Sequence, residues 1–482
     1  METEKLIVAI ELGSSKISGV AGQILYDGTL KVMAYAYTPS SSCIRHGAVY
    51  NLDKTANAIA EVISRLDSML SAKINKVYIG YSSKSLRSEI NTVERTFTAE
   101  TVISQEIIDS MFSECEMMER PGYQILLQES LEYVVDHKRG TETDPMGVAC
   151  TSLQGSYLSI LLKKQISDYM AQCFSTAGIT ILDGFVTPVV EADAILSAEE
   201  KHQGCAFVDY GADTTTVSVY KNGLLRYLRV IPLGSTLITR DLATVLKIDE
   251  DQAEKLKCTY GLCTLIGGQD MEETVDAGGH KVTLKEIGGI IEARNEEIVK
   301  NVSAVIKASG YYDVLYSGLI VTGGGSKLRQ LDKVFYSVMP DLRTPRFVVE
   351  PSFGVNWNES LWNRGDGSQV SLLSVMAKGS ENCCEAPVMD RIDNVSPADL
   401  DRMEMNQLFN SEGESAQADR DREQLLKKDS PESVKKDSSD KADAAKEKES
   451  GGKKRRNYFR RIIDNIMNTG EKFFDSDQDF KS

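Results

Sequence analysis

The chain has 482 residues, and its 41% hydrophobic and 26% charged content is that of a globular protein with ample apolar surface for a core. Its 71 acidic and 55 basic residues give a net charge of −16, which disfavours nucleic acid as a general partner. The nine cysteines show no CxxC spacing and the four histidines are dispersed, so we expect neither a disulfide framework nor a zinc site. The acidic start of the chain has no signal-peptide pattern and no apolar run is long enough to span a membrane, so we expect a cytoplasmic protein.

The first predicted element is a β-hairpin at residues 6–20. A strand with a buried pattern ends near the acidic residue Glu11 and continues into a tight turn. The turn and the start of the next strand hold the residues that would meet an anion, namely Gly13, Ser14, Ser15 and Lys16. Backbone N–H groups exposed at such a tip can bind phosphate, and the ammonium group of Lys16 can neutralise its charge.

A second hairpin is predicted at residues 205–220, and it repeats the pattern of the first. Its first strand carries Asp209, and its tip region consists of Gly211, Ala212, Asp213, Thr214 and Thr215. Either hairpin alone is better explained as an ordinary tight turn. The pair predicts a duplicated, two-lobed α/β architecture whose tips clasp a polyphosphate, with Glu11 and Asp209 holding a hydrated Mg²⁺ through water.

A third glycine-rich element follows at residues 318–328. The pattern predicts a strand that runs directly into three glycines and then a helix, which lets the backbone approach a ligand closely. The residues concerned are Gly323, Gly324, Gly325 and Lys327. The spacing is neither a GxGxxG fingerprint nor a Walker A loop, so it does not favour a Rossmann or P-loop fold.

The composition changes after about residue 384. Residues 411–450 contain 12 acidic and 9 basic residues and no aromatic one, which predicts a disordered linker because the segment cannot bury enough apolar surface. Residues 453–474 carry seven basic and two acidic residues with apolar side chains at helical spacing, which predicts a basic amphipathic helix.

We expect this helix to lie in the headgroup plane of an anionic membrane. The residues that would contact the membrane are Arg455, Arg456, Phe459, Arg460, Ile462, Ile463, Ile466, Met467, Phe473 and Phe474. Two alternatives stay open: the helix docks onto protein, or its basic cluster binds nucleic acid. The regular apolar stripe argues against nucleic acid, since phosphate contact needs no Phe/Ile face.

The order of two phosphate hairpins and a strand–GGG segment resembles the actin, Hsp70 and sugar-kinase superfamily. Further segments resemble the bacterial cell division protein FtsA family over about residues 5–380 and the last thirty residues. These segments are Glu132-Tyr133-Val134-Val135-Asp136, Asp144-Pro145-Met146-Gly147, the run from Pro232 to Ala243, Ala253-Glu254-Lys255-Leu256-Lys257, and Tyr260-Gly261.

The resemblance implies an actin-like two-lobed fold with an FtsA-type inserted subdomain, followed by the linker and the amphipathic helix. The implied parts are the first lobe base, 1–83 and 163–197; the insert, 84–162; the second lobe base, 198–234 and 306–384; the second lobe upper subdomain, 235–305; the linker, 385–452; the membrane helix, 453–474; and the tail, 475–482. By the same likeness, Glu254 and Lys257 would touch the ribose of ATP, and the three glycines would line the adenine side. Without the resemblance, Glu254 and Lys257 indicate one exposed helical turn.

Three positions depart from the family's pattern. Glu11 stands where aspartate is usual and is one methylene longer. Asp213 replaces a glycine and puts negative charge near the expected γ-phosphate, which metal or Lys16 would have to offset. Thr187 stands where related ATPases place a water-activating carboxylate, and Glu191, one helical turn later, is a candidate substitute. We therefore expect ATP and Mg²⁺ to bind with at most weak ATPase activity, the nucleotide acting as a structural ligand.

The resemblance implies a scaffold rather than an enzyme. It would polymerise with itself, bind the C-terminal peptide of FtsZ through residues 235–305, hold FtsZ at the cytoplasmic face of the inner membrane at the septum, and recruit later divisome proteins. Many weak membrane helices along a filament would bind firmly together. The alternatives are a sugar-kinase-type enzyme of the same superfamily and an actin-like scaffold of a pilus or secretion machine.

Overall fold

A computed structural model describes residues 5–137, 141–264, 272–279, 281–357 and 367–384. The predicted linker, amphipathic helix and tail, residues 385–482, lie outside these ranges, as do all ten residues predicted to contact a membrane. In the ranges that are described, none of the helices has both the length and the apolar character needed to cross a bilayer.

The described residues form ten α-helices, and four of them, α1, α5, α7 and α8, begin at a residue whose side chain caps the helix. Asn51 accepts a hydrogen bond from the N–H of Lys54, and Thr283 and Glu286 form a reciprocal capping box at the start of the longest helix. The helices are α1 (Leu52–Leu70), α2 (Gln105–Glu116), α3 (Lys164–Thr176), α4 (Thr187–Ile195), α5 (Ala198–Gln203), α6 (Thr236–Leu246), α7 (Glu250–Tyr260), α8 (Leu284–Ala308), α9 (Leu331–Val338) and α10 (Val370–Met376).

The strands of the described residues fall into two large sheets and two short hairpins. They are β1 (Ile7–Leu12), β2 (Lys16–Ile24), β3 (Leu30–Pro39), β4 (Ile44–Arg45), β5 (Ala48–Val49), β6 (Lys76–Tyr81), β7 (Arg87–Val102), β8 (Tyr123–Val135), β9 (Ala149–Lys163), β10 (Thr180–Val186), β11 (Cys205–Tyr210), β12 (Thr215–Lys221), β13 (Leu224–Ile231), β14 (Thr274–Asp276), β15 (Lys281–Thr283), β16 (Gly318–Thr322), β17 (Arg346–Phe347) and β18 (Val355–Trp357).

The two large sheets share one strand arrangement. The first has the order β10-β6-β1-β2-β3-β18, and the second contains β17-β16-β11-β12-β13. In both, three neighbouring strands are parallel, β10-β6-β1 or β17-β16-β11. The third of these strands then starts an antiparallel meander, β1-β2-β3 or β11-β12-β13. In the first sheet, β18 adds a further strand parallel to β3. Both predicted hairpins and the duplication of the architecture are thus confirmed. The strands with the predicted acids stand centrally in each sheet, where the apolar sequence patterns of β1 and β11 bury most of their side chains.

The strands of residues 84–162 extend the sheet of the second lobe. The three strands β7, β9 and β8 form a continuous antiparallel group that joins β13 through the pair Arg229 and Arg87. Beside this pair, the Ser88 hydroxyl accepts a 2.8 Å hydrogen bond from the Leu228 N–H. One buried cluster contains side chains of both parts, including Leu158, Phe207 and Leu228. The insert is therefore held by second-lobe strands.

The last described residues return to the first lobe. Helix α10 packs against α4, β1 and β2, and the chain then runs along the start of β1. The Cys383 N–H donates to the Leu6 carbonyl at 2.8 Å, and the Cys383 carbonyl accepts from Asn75 and Lys76 at 3.2 Å. Cys383 and Cys384 are both buried. The adjacent cysteines thus close the first-lobe sheet at the end opposite the hairpin tip.

Candidate nucleotide-binding site

The tip of the first hairpin is tightly hydrogen-bonded to the loop that follows β3. Gly13 leaves no room for a side chain, because a Cβ there would lie 2.7 Å from the Lys16 carbonyl oxygen. The Ser40 hydroxyl donates to the Gly13 carbonyl at 2.6 Å, and the Ser40 N–H donates to the Ser15 carbonyl at 3.1 Å. These contacts fix the path of the tip that would present N–H groups to an anion.

The tip of the second hairpin has the same construction. The Gly211 N–H donates to the Thr214 carbonyl at 2.9 Å, and a Cβ on Gly211 would lie 2.9 Å from that oxygen. The Thr215 hydroxyl donates to the Leu233 carbonyl at 2.8 Å, and the Thr236 N–H donates to the Ala212 carbonyl at 2.8 Å. The start of α6 is thereby tied to the predicted phosphate tip.

The two tips are linked by the turn between β4 and β5. The Gly47 N–H donates to the Ser14 hydroxyl at 3.0 Å, and the His46 N–H donates to the Asp213 carboxylate at 3.3 Å. A ring nitrogen of His46, Nδ1, lies 3.1 Å from the Asp213 carbonyl oxygen. The partner that meets the charge of Asp213 is therefore a first-lobe backbone N–H, whereas Lys16 donates to the Tyr35 hydroxyl and the Ser368 hydroxyl at 3.2 and 3.0 Å.

Three carboxylates converge beside the hairpins, namely Glu11, Asp209 and Glu191. Burial raises the pKa of Asp209 to about 7, and the neighbouring Glu11 adds to the effect. Burial also raises the pKa of Glu191 well above its ordinary value, and the charges of Asp209 and Glu11 act in the same direction. Burial raises the pKa of Glu11 too, although the hydrogen bond from Ser371 and the charge of Lys16 oppose it. Burial thus raises the pKa of all three carboxyl groups, and the closeness of the acids adds to the rise for Asp209 and Glu191.

This donor set fits a divalent cation. Glu191 is 2% exposed, and its Oε2 has no hydrogen-bond partner. An orphaned carboxylate oxygen beside two further acids is costly without a cation. Among the residues that are described, no three His, Cys, Asp or Glu side chains have the arrangement of a direct metal chelate. Glu11 and Asp209 are the residues that would hold a Mg²⁺ ion through its own waters, a coordination that Mg²⁺ favours.

The glycine run lies directly against the second hairpin. Gly323 has φ +88°, and a Cβ on it would lie 2.4 Å from Oδ1 of Asp209. A Cβ on Gly325 would lie 2.7 Å from the Tyr210 ring, whereas one on Gly324 would meet only the Ser368 side chain at 3.6 Å. The run continues into a short 3₁₀ turn, Gly324–Lys327, and α9 begins at Leu331. The strand β16 runs directly into the glycines, as predicted. The helix that follows them is a single 3₁₀ turn, and the αL residue Gln330 precedes α9. Lys327 is exposed on that turn.

Glu254 and Lys257 lie on α7 and form an ion pair at 2.7 Å. The Lys257 ammonium also donates to the Thr239 hydroxyl at 3.0 Å, and that hydroxyl donates to Glu254. Although burial alone would raise the pKa of Glu254, the charge of Lys257 and these hydrogen bonds lower it. Lys257 is only 7% exposed, so the interpretation as one exposed helical turn is wrong for the lysine, whereas Glu254 is exposed. Helix α6 covers the lysine.

Several site residues were missed from the sequence. Ser368 and Ser371 at the start of α10, Tyr35 on β3 and His46 contact the predicted residues through hydrogen bonds. The segment beginning Gly367-Ser368 has the same glycine and hydroxyl character as the hairpin tips, and this was the available signal. His46 carried no signal, because its contribution is made through its backbone N–H.

Comparison with known proteins finds similarity to one family. The family model described as "Cell division protein FtsA" matches residues 206–360. The chain is 29% identical over 349 residues to cell division protein FtsA of Porphyromonas gingivalis, an alignment that covers 70% of this chain and 72% of the relative. It is 25% identical over 335 residues to FtsA of Pseudomonas aeruginosa, covering 68% and 79%. The resemblance to FtsA predicted from the sequence is confirmed.

A solved structure supports the fold independently. The chain of the structure titled "PilM-PilN type IV pilus biogenesis complex" superposes with a TM-score of 0.54 at 15% identity, covering 77% of this chain and 97% of that one. At this identity the likeness concerns the fold alone. With the duplicated sheets, it confirms the actin-like two-lobed fold.

Proposed function

From the resemblance to FtsA we propose that this chain is an ATP-binding, actin-like cell division scaffold. The observation that carries the proposal is the pair of acid–glycine hairpins whose tips are joined by the β4–β5 turn. Their arrangement supports ATP as the ligand, with the phosphates at residues 13–16 and 211–215, the ribose near Glu254 and Lys257, and the base beside residues 323–327.

The side chains around the carboxylates support slow or negligible hydrolysis. A general base must be unprotonated to accept a proton from water. The position expected to carry that base is Thr187, whose hydroxyl has no hydrogen-bond partner and which cannot act as a carboxylate. The candidate substitute Glu191 has a pKa raised well above its ordinary value by burial and by two neighbouring acids, which disfavours the unprotonated form that a base needs. Bound nucleotide would then act by stabilising one lobe arrangement.

The remaining roles rest on the family resemblance and on the C-terminal sequence. Residues 453–474, with a local excess of positive charge, would bind anionic lipid, each basic side chain near the surface contributing about 1 kcal/mol. The linker, residues 385–452, would span roughly 45 Å as a flexible coil, so the helix reaches the membrane without fixing the body. The second lobe's upper subdomain, 235–305, would bind the FtsZ C-terminal peptide, and the inserted subdomain would meet later divisome proteins.

Nucleotide binding is the first claim to test. The full chain is titrated with a fluorescent ATP analogue in the presence of Mg²⁺, beside the variants Lys16→Ala and Lys31→Ala. We expect Lys16→Ala to weaken binding at least tenfold, because Lys16 belongs to the first hairpin, whereas Lys31 on β3 serves as a matched control lysine of the same sheet. Equal affinities for both variants and the unaltered chain would contradict the placement of the phosphates.

The scaffold role needs a separate measurement. Electron microscopy on anionic lipid monolayers with ATP should show lipid-bound filaments of the full chain and none of a chain ending at Gly452. A pull-down with the FtsZ C-terminal peptide should retain the full chain, and failure to bind would favour the pilus or secretion scaffold. Brisk ATP turnover on a small acceptor, without filaments, would instead support the sugar-kinase alternative.

A further inference from the structure

The first turn of α10 and the 3₁₀ turn that precedes it, Gly367–Gln369, contact both functional side chains of the first hairpin. The Ser371 hydroxyl donates to Oε2 of Glu11 at 2.8 Å, and the Lys16 ammonium donates to the Ser368 hydroxyl at 3.0 Å. Ser371 lies 360 positions away from Glu11 in the sequence and is only 8% exposed. The hydroxyl is thus enclosed against the carboxylate by the packing of α10 on β1.

Glu11 needs such a partner more than an aspartate would. Its side chain has one more methylene and one more rotatable bond than aspartate, so its carboxylate has more freedom to lose when it holds the water shell of a cation. A hydrogen bond to one oxygen removes that freedom and leaves the other oxygen for the ligand. The same bond favours the charged form of Glu11 and opposes the rise in pKa that burial causes.

We propose that Ser371 is a positioning residue of the nucleotide site, which fixes the Glu11 carboxylate for hydrated Mg²⁺ and compensates for the extra methylene of this glutamate. This inference rests on the proposed function, since it assigns a role within the same site. It makes a residue of α10, 360 positions after Glu11 in the sequence, part of the metal site.

A double-mutant cycle separates this role from a general structural one. The full chain, Ser371→Ala, Glu11→Asp and the double variant are each titrated with Mg²⁺ at a fixed concentration of fluorescent ATP analogue. The measured quantity is the Mg²⁺ concentration that gives half of the maximal nucleotide binding. Ser374→Ala is the matched control, because Ser374 is buried on the same helix and its hydroxyl donates to the Val370 carbonyl at 2.7 Å.

We expect Ser371→Ala to raise the half-point about tenfold, the effect of losing one hydrogen bond to a charged group. In the Glu11→Asp background the same substitution should change it less than twofold, because the shorter carboxylate does not reach Ser371. Ser374→Ala should leave it unchanged. Urea unfolding without nucleotide is measured for every variant. We expect Ser371→Ala and Ser374→Ala to be folded in the absence of urea.

The outcomes that overturn the inference are distinct. An equal effect of Ser371→Ala in both backgrounds would show a structural role that does not act through Glu11. Nucleotide binding whose Mg²⁺ response is the same with and without the Ser371 hydroxyl would overturn the inference and leave the proposed function standing. Absence of nucleotide binding by the unaltered chain at every Mg²⁺ concentration would overturn both.

Discussion

Replacement of Gly323 by alanine should be far more damaging than replacement of its neighbour Gly324. Gly323 has φ +88°, a region that costs an L-residue about 1–2 kcal/mol. The added Cβ would also lie 2.4 Å from Oδ1 of Asp209 and 2.6 Å from the Tyr210 carbonyl oxygen. Relief of such overpacking costs about 1–3 kcal/mol. Together these terms predict a loss of roughly 2–5 kcal/mol in the free energy of unfolding.

Urea unfolding of the nucleotide-free chain, followed by circular dichroism, measures this loss. Gly324→Ala is the matched control, since its Cβ would meet only Ser368 at an ordinary 3.6 Å and should change stability by about 0.5 kcal/mol or less. Because the Gly323→Ala methyl group must displace Asp209, Mg²⁺-dependent nucleotide binding should fall with it. Similar urea midpoints for the two alanine variants would refute the argument from close approach and positive φ.

Three further changes test other parts of the structure. Arg294→Ala should lower the free energy of unfolding, measured with urea, by about 3–5 kcal/mol, because it leaves the mostly buried Asp241 carboxylate without its bidentate partner. A decrease below about 1 kcal/mol would contradict this. Thr239→Ala should lower the free energy of unfolding by about 1–3 kcal/mol, because it removes a hydroxyl that accepts a hydrogen bond from the buried Lys257. An unchanged urea midpoint would contradict that role. Since burial raises the pKa of Asp209 to about 7 from an ordinary value near 3.8, the protonated carboxyl stabilises the metal-free fold at low pH, and this contribution is lost as the pH rises through 7. With a metal chelator present, the urea midpoint should therefore fall less between pH 5 and pH 8 for Asp209→Asn than for the unaltered chain. Equal falls would count against a raised pKa of Asp209.

Local sequence patterns were sufficient to predict the hairpins. An apolar strand, an acid, a glycine and hydroxyl residues specify a tight turn within a few positions, and Gly13 and Gly211 occupy points where a Cβ would lie 2.7 and 2.9 Å from a backbone oxygen. Repetition of this pattern then implied the duplication. These features depend on residues close together in the sequence, which is why they could be predicted.

Strand partners between distant segments could not be predicted in the same way. The pairing of β7 with β13 joins Arg87 to Arg229, and nothing in either segment specifies the other. An alternating strand pattern shows which face is buried but leaves the choice of neighbour open. The attachment of the insert to the second-lobe sheet is for this reason known only from the structure.

The environment of Lys257 shows a second limit. A glutamate and a lysine three positions apart are typical of an exposed helical turn, where such a pair contributes about 0.2–0.5 kcal/mol. Here the neighbouring helix α6 supplies the Thr239 hydroxyl and the Ser235 carbonyl, and both accept from the ammonium group. Burial of Lys257 thus depends on a helix–helix contact, which spacing within one helix does not determine.

Asp213 stands where the family has glycine, and its hydrogen bond to the first lobe gives this difference a structural role. A carboxylate that is 9% exposed at the second tip would be strongly unfavourable without a donor. The donor it has is the His46 N–H, and the adjacent Gly47 N–H binds Ser14 of the first tip. Glycine at 213 would lack the carboxylate that makes this bond. Because the side chain that departs from the pattern also ties the second tip to the first lobe, the tips of the two lobes are already joined by protein hydrogen bonds. Nucleotide would therefore strengthen an existing closure of the cleft rather than create it.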